Sequence, residues 1–292
     1  MPVPPHLHAL LDDASAARST DVGLETAVQA HREHRQAWYG GLVGALVVRD
    51  ATLPRLAQLP DATSAGALEV VVAVSGGAGA LAPAVQWATR QESLALRGLQ
   101  VTMRESDAGD LAPNARRVVA AVDALVASGD LDDDVPVYVE PPPLTAPEPT
   151  ASWLSALDEL ATVDLRLTLR AHGTADGEPS SRQLAVGIDA ALDRELRFRC
   201  TGLHHALGHA APDSGVARPG FLNVLIATRA GLDGASTADM ATVLVETDAT
   251  VLTGATDEAG LASAHRWFTS CDTDGVAGSL RELLDLGLLG QR

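Results

Sequence analysis

Short runs rich in β-branched residues alternate with longer segments of helical periodicity along most of the chain. Such strict alternation is typical of parallel strands that are joined by helical crossovers. The runs that we predict as strands are 42–48, 68–75, 99–104, 135–140, 165–170, 196–201, 250–253 and 267–271. The segments that we predict as helices between and after them are 53–59, 81–96, 115–127, 151–160, 180–192, 221–232, 238–246, 258–265 and 276–286.

This rhythm predicts an α/β protein with a single (β/α)₈ barrel of the TIM type. Eight strand–helix units over about 250 residues match the usual size of that fold. Two further helical segments, 6–18 and 22–38, precede the first predicted strand. We therefore predict an N-terminal helical extension over residues 1–40 and a barrel over residues 41–292. The composition shows no linker between the two parts, which favours one structural domain.

The chain of 292 residues contains no lysine, so all 21 of its basic residues are arginines. This excludes a Schiff-base lysine, a P-loop lysine and a lysine general base. The formal net charge of −17 argues against binding to nucleic acids or to anionic membranes. No apolar run reaches the roughly 18 residues of a membrane span, and the N-terminus lacks the pattern of a signal peptide. The two cysteines are far apart and have no metal-type spacing. A reducing cytosolic compartment is the default for such a chain, so we predict a cytoplasmic protein.

Arginines recur on the polar faces of the predicted strands. A barrel strand turns its apolar face towards the surrounding helices, so its polar face is expected to point into the lumen. Only Glu69 and Glu140 are predicted on the same inner face. Burying an unpaired arginine costs several kcal/mol, so the excess predicts a bound anion. The alternative is that the lower arginines pair with carboxylates at the barrel bottom, with no special pocket. The five arginines are Arg104, Arg166, Arg170, Arg197 and Arg199.

Candidates for proton transfer lie at the carboxyl ends of predicted strands, where the active sites of barrel enzymes are located. They are Glu140, His204 and His205. A histidine there suits a proton shuttle or a hydrogen-bond donor to an anion, and a purely structural pair is the alternative. His209 also makes a metal site conceivable, but no carboxylate follows at ligand spacing. We therefore predict no cofactor and no metal ion.

Three further candidates come from other loops. Cys271 ends the last predicted strand and is either a nucleophile or an inert buried cysteine. Ser75 and Gly77 belong to a glycine-rich turn, S-G-G-A-G, between a valine-rich strand and a helix. Such a turn partly fits the dinucleotide-binding fingerprint, but an extra β/α unit precedes it. We interpret it as a tight barrel loop that touches a phosphate.

The second half of the chain contains a distinctive segment, F-R-C-T-G-L-H-H, at residues 198–205. It resembles the F-K-A-T-A-G-L-H-H segment of a family of uncharacterised bacterial TIM-barrel-like proteins that has no assigned reaction. Residues 170–173 resemble its R-x-G-G, and residues 178–180 resemble the P-S that follows. Residues 220–225 read G-F-L-N-V-L as in the family, and Ser270–Cys271 match the first half of its S-C-S-F, before a G-L-L at 287–289.

The resemblance implies a barrel and directs attention to the histidine pair, but two departures matter. Arg199 stands where the family has a lysine, with one residue fewer before His204. A lysine in that motif also resembles Schiff-base aldolases of the deoxyribose-phosphate type, whose mechanism is closed to a chain with arginine there. The S-C-S-F loop is not preserved beyond Cys271.

These observations lead to two hypotheses. The first is an enzyme for a small anionic substrate, a carboxylate or a phosphate, bound by Arg170 and Arg199 together with Arg104 and Thr201. Glu140 or the histidine pair would then transfer protons. The second is a non-catalytic anion-binding or structural protein, a degenerate barrel without the family lysine. The sequence leaves open a homo-oligomer.

Overall fold

The fold comes from a computed structural model, which describes residues 3–18, 23–59, 66–104, 110–144, 146–171, 180–210, 217–255 and 257–290. Eight parallel strands form a closed barrel in which each strand pairs with the next along the chain and the last pairs with the first. This confirms the predicted (β/α)₈ fold. The strands are β1 (Leu11–Asp13), β2 (Val43–Arg49), β3 (Leu68–Val74), β4 (Leu94–Thr102), β5 (Val137–Glu140), β6 (Arg166–Arg170), β7 (Phe198–Thr201) and β8 (Phe268–Thr273).

Helices cover the outside of the barrel. They are α1 (Ser15–Arg18), α2 (Leu24–Gln36), α3 (Leu53–Leu56), α4 (Leu81–Thr89), α5 (Ala112–Ser128), α6 (Ala151–Ala161), α7 (Ser181–Asp193), α8 (Phe221–Leu232), α9 (Thr237–Leu244), α10 (Ala249–Gly254), α11 (Glu258–His265) and α12 (Val276–Asp285). Two short antiparallel strands, His209–Ala210 and Ala217–Arg218, pair outside the barrel. Within the described ranges, no helix has the length and hydropathy to cross a membrane.

The main hydrophobic core lies between the barrel wall and the helices. Leucine, valine and phenylalanine side chains on the outer faces of the strands pack there against apolar helix faces. Phe198 stacks on Phe268 of the neighbouring strand, with ring centroids 5.6 Å apart. Because successive side chains on a strand point to opposite sides, this outer core leaves the alternate residues facing the lumen.

Two of the predicted elements are wrong. Residues 250–253 form part of helix α10, whose N-terminus is capped by Asp248 through a hydrogen bond from the Thr250 amide. The missing strand is β1, which lies inside the predicted helix 6–18. The region predicted as a helical extension over residues 1–40 therefore contains a barrel strand. Residues 172–179, which carry part of the family resemblance, lie outside the described residues.

Strand β1 is held in the barrel by both neighbours. Leu11 pairs with Cys271 of β8 on one side and with Val43 of β2 on the other. The Asp12 carboxylate adds a hydrogen bond from the Ala45 amide, 2.9 Å from Oδ1. A strand of three residues is too short to show a period of its own, so these contacts with other strands define it.

A substitution at Gly44 tests the contact between Asp12 of β1 and strand β2, which we call the seam. A Cβ atom on Gly44 would lie 2.2 Å from Asp12 Oδ1, so Gly44→Ala must push the carboxylate away from the Ala45 amide. We expect the free energy of unfolding to fall by about 1–3 kcal/mol, measured by urea denaturation. Gly278→Ala is the control, because a Cβ there meets nothing within 4 Å, and the change should leave stability equal or higher. Equal stabilities of the Gly44→Ala variant and the parent would contradict this account of the seam.

Candidate functional site

The lumen has an apolar half and a polar half. On the side of β1 to β3, small side chains from these strands and the following turn form a separate buried cluster of Ala14, Ala45, Val47 and Val71. From β4 round to β1, the positions that alternate with the outer core are polar. These buried positions are Gln100, Tyr138, Glu140, Thr168, Arg199, Thr201, Ser270, Asp272 and Asp12. The polar groups of the lumen therefore occur together on one side of the barrel.

Arg199 lies at the centre of the polar half and is fully buried. Its Nη2 atom lies 3.1 Å from Oδ2 of Asp12 as an ion pair, and its guanidinium carbon lies 5.6 Å from the centre of the Tyr138 ring. Among the described residues, none of its three guanidinium nitrogens forms a hydrogen bond. Leaving a buried charged donor without an acceptor is costly, so this group calls for a further polar partner in the lumen.

Two carboxylates set the electrostatics around Arg199. Burial raises the pKa of Asp12, and the charge of Arg199 only partly opposes that rise. Burial alone would lower the pKa of Arg199, but Asp12 and Asp272 outweigh it and raise the pKa. Asp272 also accepts a hydrogen bond from the Gly202 amide at 2.7 Å. Arg199 is therefore firmly cationic, whereas Asp12 is shifted towards its neutral form.

Two more buried polar atoms in this half lack a partner in the described part of the chain. They are Oγ1 of Thr168 and Oε1 of Gln100. Thr168 lies beside Arg199 in the strand register, and Gln100 lies beside Tyr138. A threonine hydroxyl donates and accepts, whereas an amide oxygen only accepts. A guest that satisfies all three groups must offer acceptors to Arg199 and a donor to Gln100.

Arg170 and Glu140 meet at the carboxyl ends of β6 and β5. The Glu140 carboxylate accepts from Nε of Arg170 at 3.0 Å, from Nη2 of the same side chain, and from Nε2 of Gln100 at 3.2 Å. The Arg170 side chain is 40% exposed and Glu140 is buried. These three donors occupy both carboxylate oxygens of Glu140, so its geometry suits holding Arg170 better than carrying a proton.

The histidine pair is bonded to carboxylates that the sequence analysis did not single out. Nδ1 of His204 lies 2.9 Å from Oδ1 of Asp274, and Nδ1 of His205 lies 2.6 Å from Oε1 of Glu282. The ring of His205 also lies against that of His209, with centroids 4.1 Å apart. Burial and the charge of His205 lower the pKa of His209. Within the described residues, no group of three or more His, Cys, Asp or Glu side chains is arranged to hold a metal ion.

The structure corrects the predicted charge balance of the lumen. Glu69 lies near the amino end of β3 and pairs with Arg35 and Arg97. Arg197 and Arg104 are exposed.

Arg166, at the start of β6, donates from Nη1 to the Tyr138 hydroxyl at 3.1 Å. Of the five arginines predicted inside, Arg199 alone is fully buried. Asp12 and Asp272, which were not predicted, provide its counterions, so the expected excess of luminal arginines over carboxylates is wrong.

The remaining candidates have separate surroundings. Cys271 is buried in the outer core, and burial raises the pKa of its thiol, which does not suit a nucleophile. Thr201 is buried beside Arg170 in the register. Ser75 is exposed, and Gly77 has a φ of +70° and lies against the Arg104 side chain.

Sequence reasoning missed Asp12 and Asp272 for two local reasons. Asp12 lay in a segment predicted as helix. Asp272 continues the period-two alternation from Ser270, but the predicted strand ended one residue too early. Extending that strand to Thr273, as observed, would have placed Asp272 on the inner face.

No protein-family model and no curated protein matches the chain. Among solved structures, one similar chain is described as a putative phosphonomutase from Burkholderia cenocepacia J2315, at 12% identity and a TM-score of 0.46. The match covers 97% of this chain and 95% of that chain. The likeness is too distant to bear on the reaction, and the barrel assignment depends on the strand pairing itself. Membership of the bacterial family that the sequence resembles therefore stays a prediction.

Arg199 should tolerate lysine but not leucine. Arg199→Leu leaves Asp12 and Asp272 buried without a cation, so we expect the free energy of unfolding to fall by about 3–5 kcal/mol. Arg199→Lys keeps the charge and should lose clearly less. Denaturant unfolding of both variants checks this. A leucine variant as stable as the parent would show that the ion pair in the lumen contributes no stability.

Asp12 should make stability depend on pH in a particular direction. Because its folded pKa is raised, Asp12 binds a proton more readily in the folded state, and this contribution is lost as pH rises through the folded pKa. Asp12→Asn cannot titrate. We therefore expect the variant to gain stability relative to the parent as pH rises from about 4 to 7, measured by urea unfolding at several pH values. A difference that is constant or falls with pH would contradict the raised pKa.

Proposed function

We propose that the protein is an enzyme that acts on a small anionic substrate, a carboxylate or a phosphate, bound in the polar half of the barrel lumen. The observation that carries this proposal is the fully buried Arg199, whose Nε and Nη1 atoms have no hydrogen-bond partner among the described residues, while Nη2 contacts Asp12 as an ion pair. Oxygen atoms of a carboxylate or phosphate suit those donors, because the guanidinium fork pairs with them through charge-assisted hydrogen bonds.

The other luminal groups define what the substrate must offer. The Thr168 hydroxyl donates a hydrogen bond to the anion, and the Gln100 oxygen accepts one from a substrate hydroxyl. Glu140 holds Arg170 at the mouth, where the half-exposed guanidinium meets the incoming anion. A small hydroxylated acid fits this combination of donors and acceptors.

Asp12 is the proton carrier that the geometry favours. Its carboxyl group contacts the guanidinium that would bind the anion, and burial raises its pKa towards the range in which a carboxyl group both donates and accepts protons. Arg199 would stabilise negative charge that develops on the substrate as the proton moves. His204 and His205, each paired with a carboxylate, remain candidates for a second proton transfer.

One observation favours the second candidate, a barrel that binds an anion without catalysis or is only structural. Arg199 faces Asp12 and Asp272, and Arg170 faces Glu140, so the chain supplies its own counterions. An anion is then required for hydrogen bonding but not for charge neutrality. The two candidates differ in whether a bound anion is converted.

A screen of small carboxylates and phosphates by thermal shift tests the site. A ligand at 100 times its Kd stabilises the folded state by about 2.7 kcal/mol. We expect an anion to stabilise the parent, and Arg199→Lys to weaken that effect about tenfold or more in Kd because the planar fork is lost. Arg229→Lys is the control, since Arg229 lies on the surface and pairs with Asp233.

The outcomes separate the alternatives. Absence of stabilisation by any anion, or the same Kd in the Arg199→Lys variant as in the parent, would rule out the luminal site. For a ligand that binds, nuclear magnetic resonance in deuterated water detects proton exchange or conversion. We expect Asp12→Asn to abolish that exchange while binding persists. Binding without exchange or conversion in the parent would favour the non-catalytic candidate.

A further inference from the structure

A cleft that we call the arginine groove opens beside helices α4 and α5 and is separate from the Arg199 cluster. It is an open groove of about 570 Å³, lined by residues 76–80, Pro83, Met103, Arg104, Asn114 and Arg117. These residues follow the carboxyl ends of β3 and β4 or belong to the two helices. The groove therefore lies at the end of the barrel where loops carry function in this fold.

One wall of the arginine groove is bare backbone. Gly77 has a φ of +70°, and a Cβ atom on it would lie 3.4 Å from both Cγ and Nε of Arg104. A Cβ on Gly76 would lie 2.5 Å from that of Ala80. Gly76 thus requires glycine for packing, and Gly77 requires it for conformation. Without side chains, this wall lets an anion approach the backbone and Arg104 together.

Asn114 fixes both arginines of the groove. Its Nδ2 donates to the backbone oxygen of Arg104 at 2.9 Å, and its Oδ1 accepts from Nη1 of Arg117 at 2.7 Å. One amide thus connects the chain after β4 with the first turns of α5. Both arginine residues line the same cleft.

Neither arginine has a carboxylate partner in the described part of the chain, although the protein carries 38 acidic residues. The adjacent Arg116, on the same helix, pairs with Glu159 at 2.5 Å. Two arginines that line one cleft without a carboxylate partner among the described residues give that part of the surface a local positive charge. An anion in the groove would provide the missing partner.

We propose that the arginine groove binds the phosphate group of a small phosphorylated molecule. Two guanidinium groups match a phosphate, which has more acceptor oxygens and more charge than a carboxylate. Met103, Pro83 and Val118 provide an apolar surface for the remainder of the ligand. The proposal is independent of the luminal site, because it involves different residues on different elements.

Isothermal titration calorimetry with inorganic phosphate and with pyrophosphate, at constant ionic strength, tests the groove. We expect both to bind the parent, with pyrophosphate the tighter because of its higher charge. Arg117→Ala and Arg104→Ala should each raise Kd about tenfold or more, since each removes a charge-assisted hydrogen bond. Arg116→Ala is the matched control, because it removes the same charge one residue away but leaves the groove intact; Kd should stay within about twofold.

Arg199→Lys distinguishes this site from the luminal one and should also leave the phosphate Kd within about twofold. Three results would overturn the proposal: no binding of either probe to the parent, the same Kd in Arg117→Ala and Arg104→Ala as in the parent, or a Kd raised by Arg199→Lys but by neither groove variant. Circular dichroism and thermal melting of each variant show that a loss of binding is not a loss of fold. Failure of the groove leaves the luminal proposal intact, because the thermal-shift screen depends on Arg199.

Discussion

The buried contact between Arg199 and Asp12 connects the fold of this protein to its candidate site. Asp12 belongs to β1, the shortest barrel strand, and Asp272 belongs to β8, which closes the barrel against it. Both counterions of Arg199 thus come from β1 and β8, the two strands whose pairing closes the barrel. A buried charge is stable only when paired, so the closure of the barrel and the charge in its lumen depend on each other.

The lumen is asymmetric, and this asymmetry decides where chemistry can occur. Alanine and valine side chains fill the side of β2 and β3, whereas the opposite side carries the charged and hydrogen-bonding groups. In most barrels the interior is a packed core and function is confined to the carboxyl-end loops. Here polar groups with unused hydrogen-bonding capacity, among them Thr168 and Gln100, extend into the wall itself. These groups support the proposal that a small anion binds in the lumen.

Much of the wall was predictable from the sequence. Strands β2, β3 and β5 to β7 lie close to their predicted positions, because each buries one face and shows a clear period of two. The burial of Arg199 and the meeting of Arg170 with Glu140 follow from the same alternation. The error at 250–253 has a local cause, since its threonines and valine resemble a strand, whereas the Asp248 cap and the helical hydrogen bonds place them in α10.

Alternation of apolar and polar residues by itself determined the barrel class and the inward position of Arg199, because both follow from a period that repeats every few residues. Only the tertiary structure decided that β1 is a strand, since its hydrogen bonds come from β2 and β8, which are distant in sequence. It also decided the partners of the arginines. Arg104 leaves the lumen to line a groove with Arg117, and Arg199 pairs with Asp12 across 187 residues of sequence. Ion pairs depend on distance in space, and a sequence records only distance along the chain.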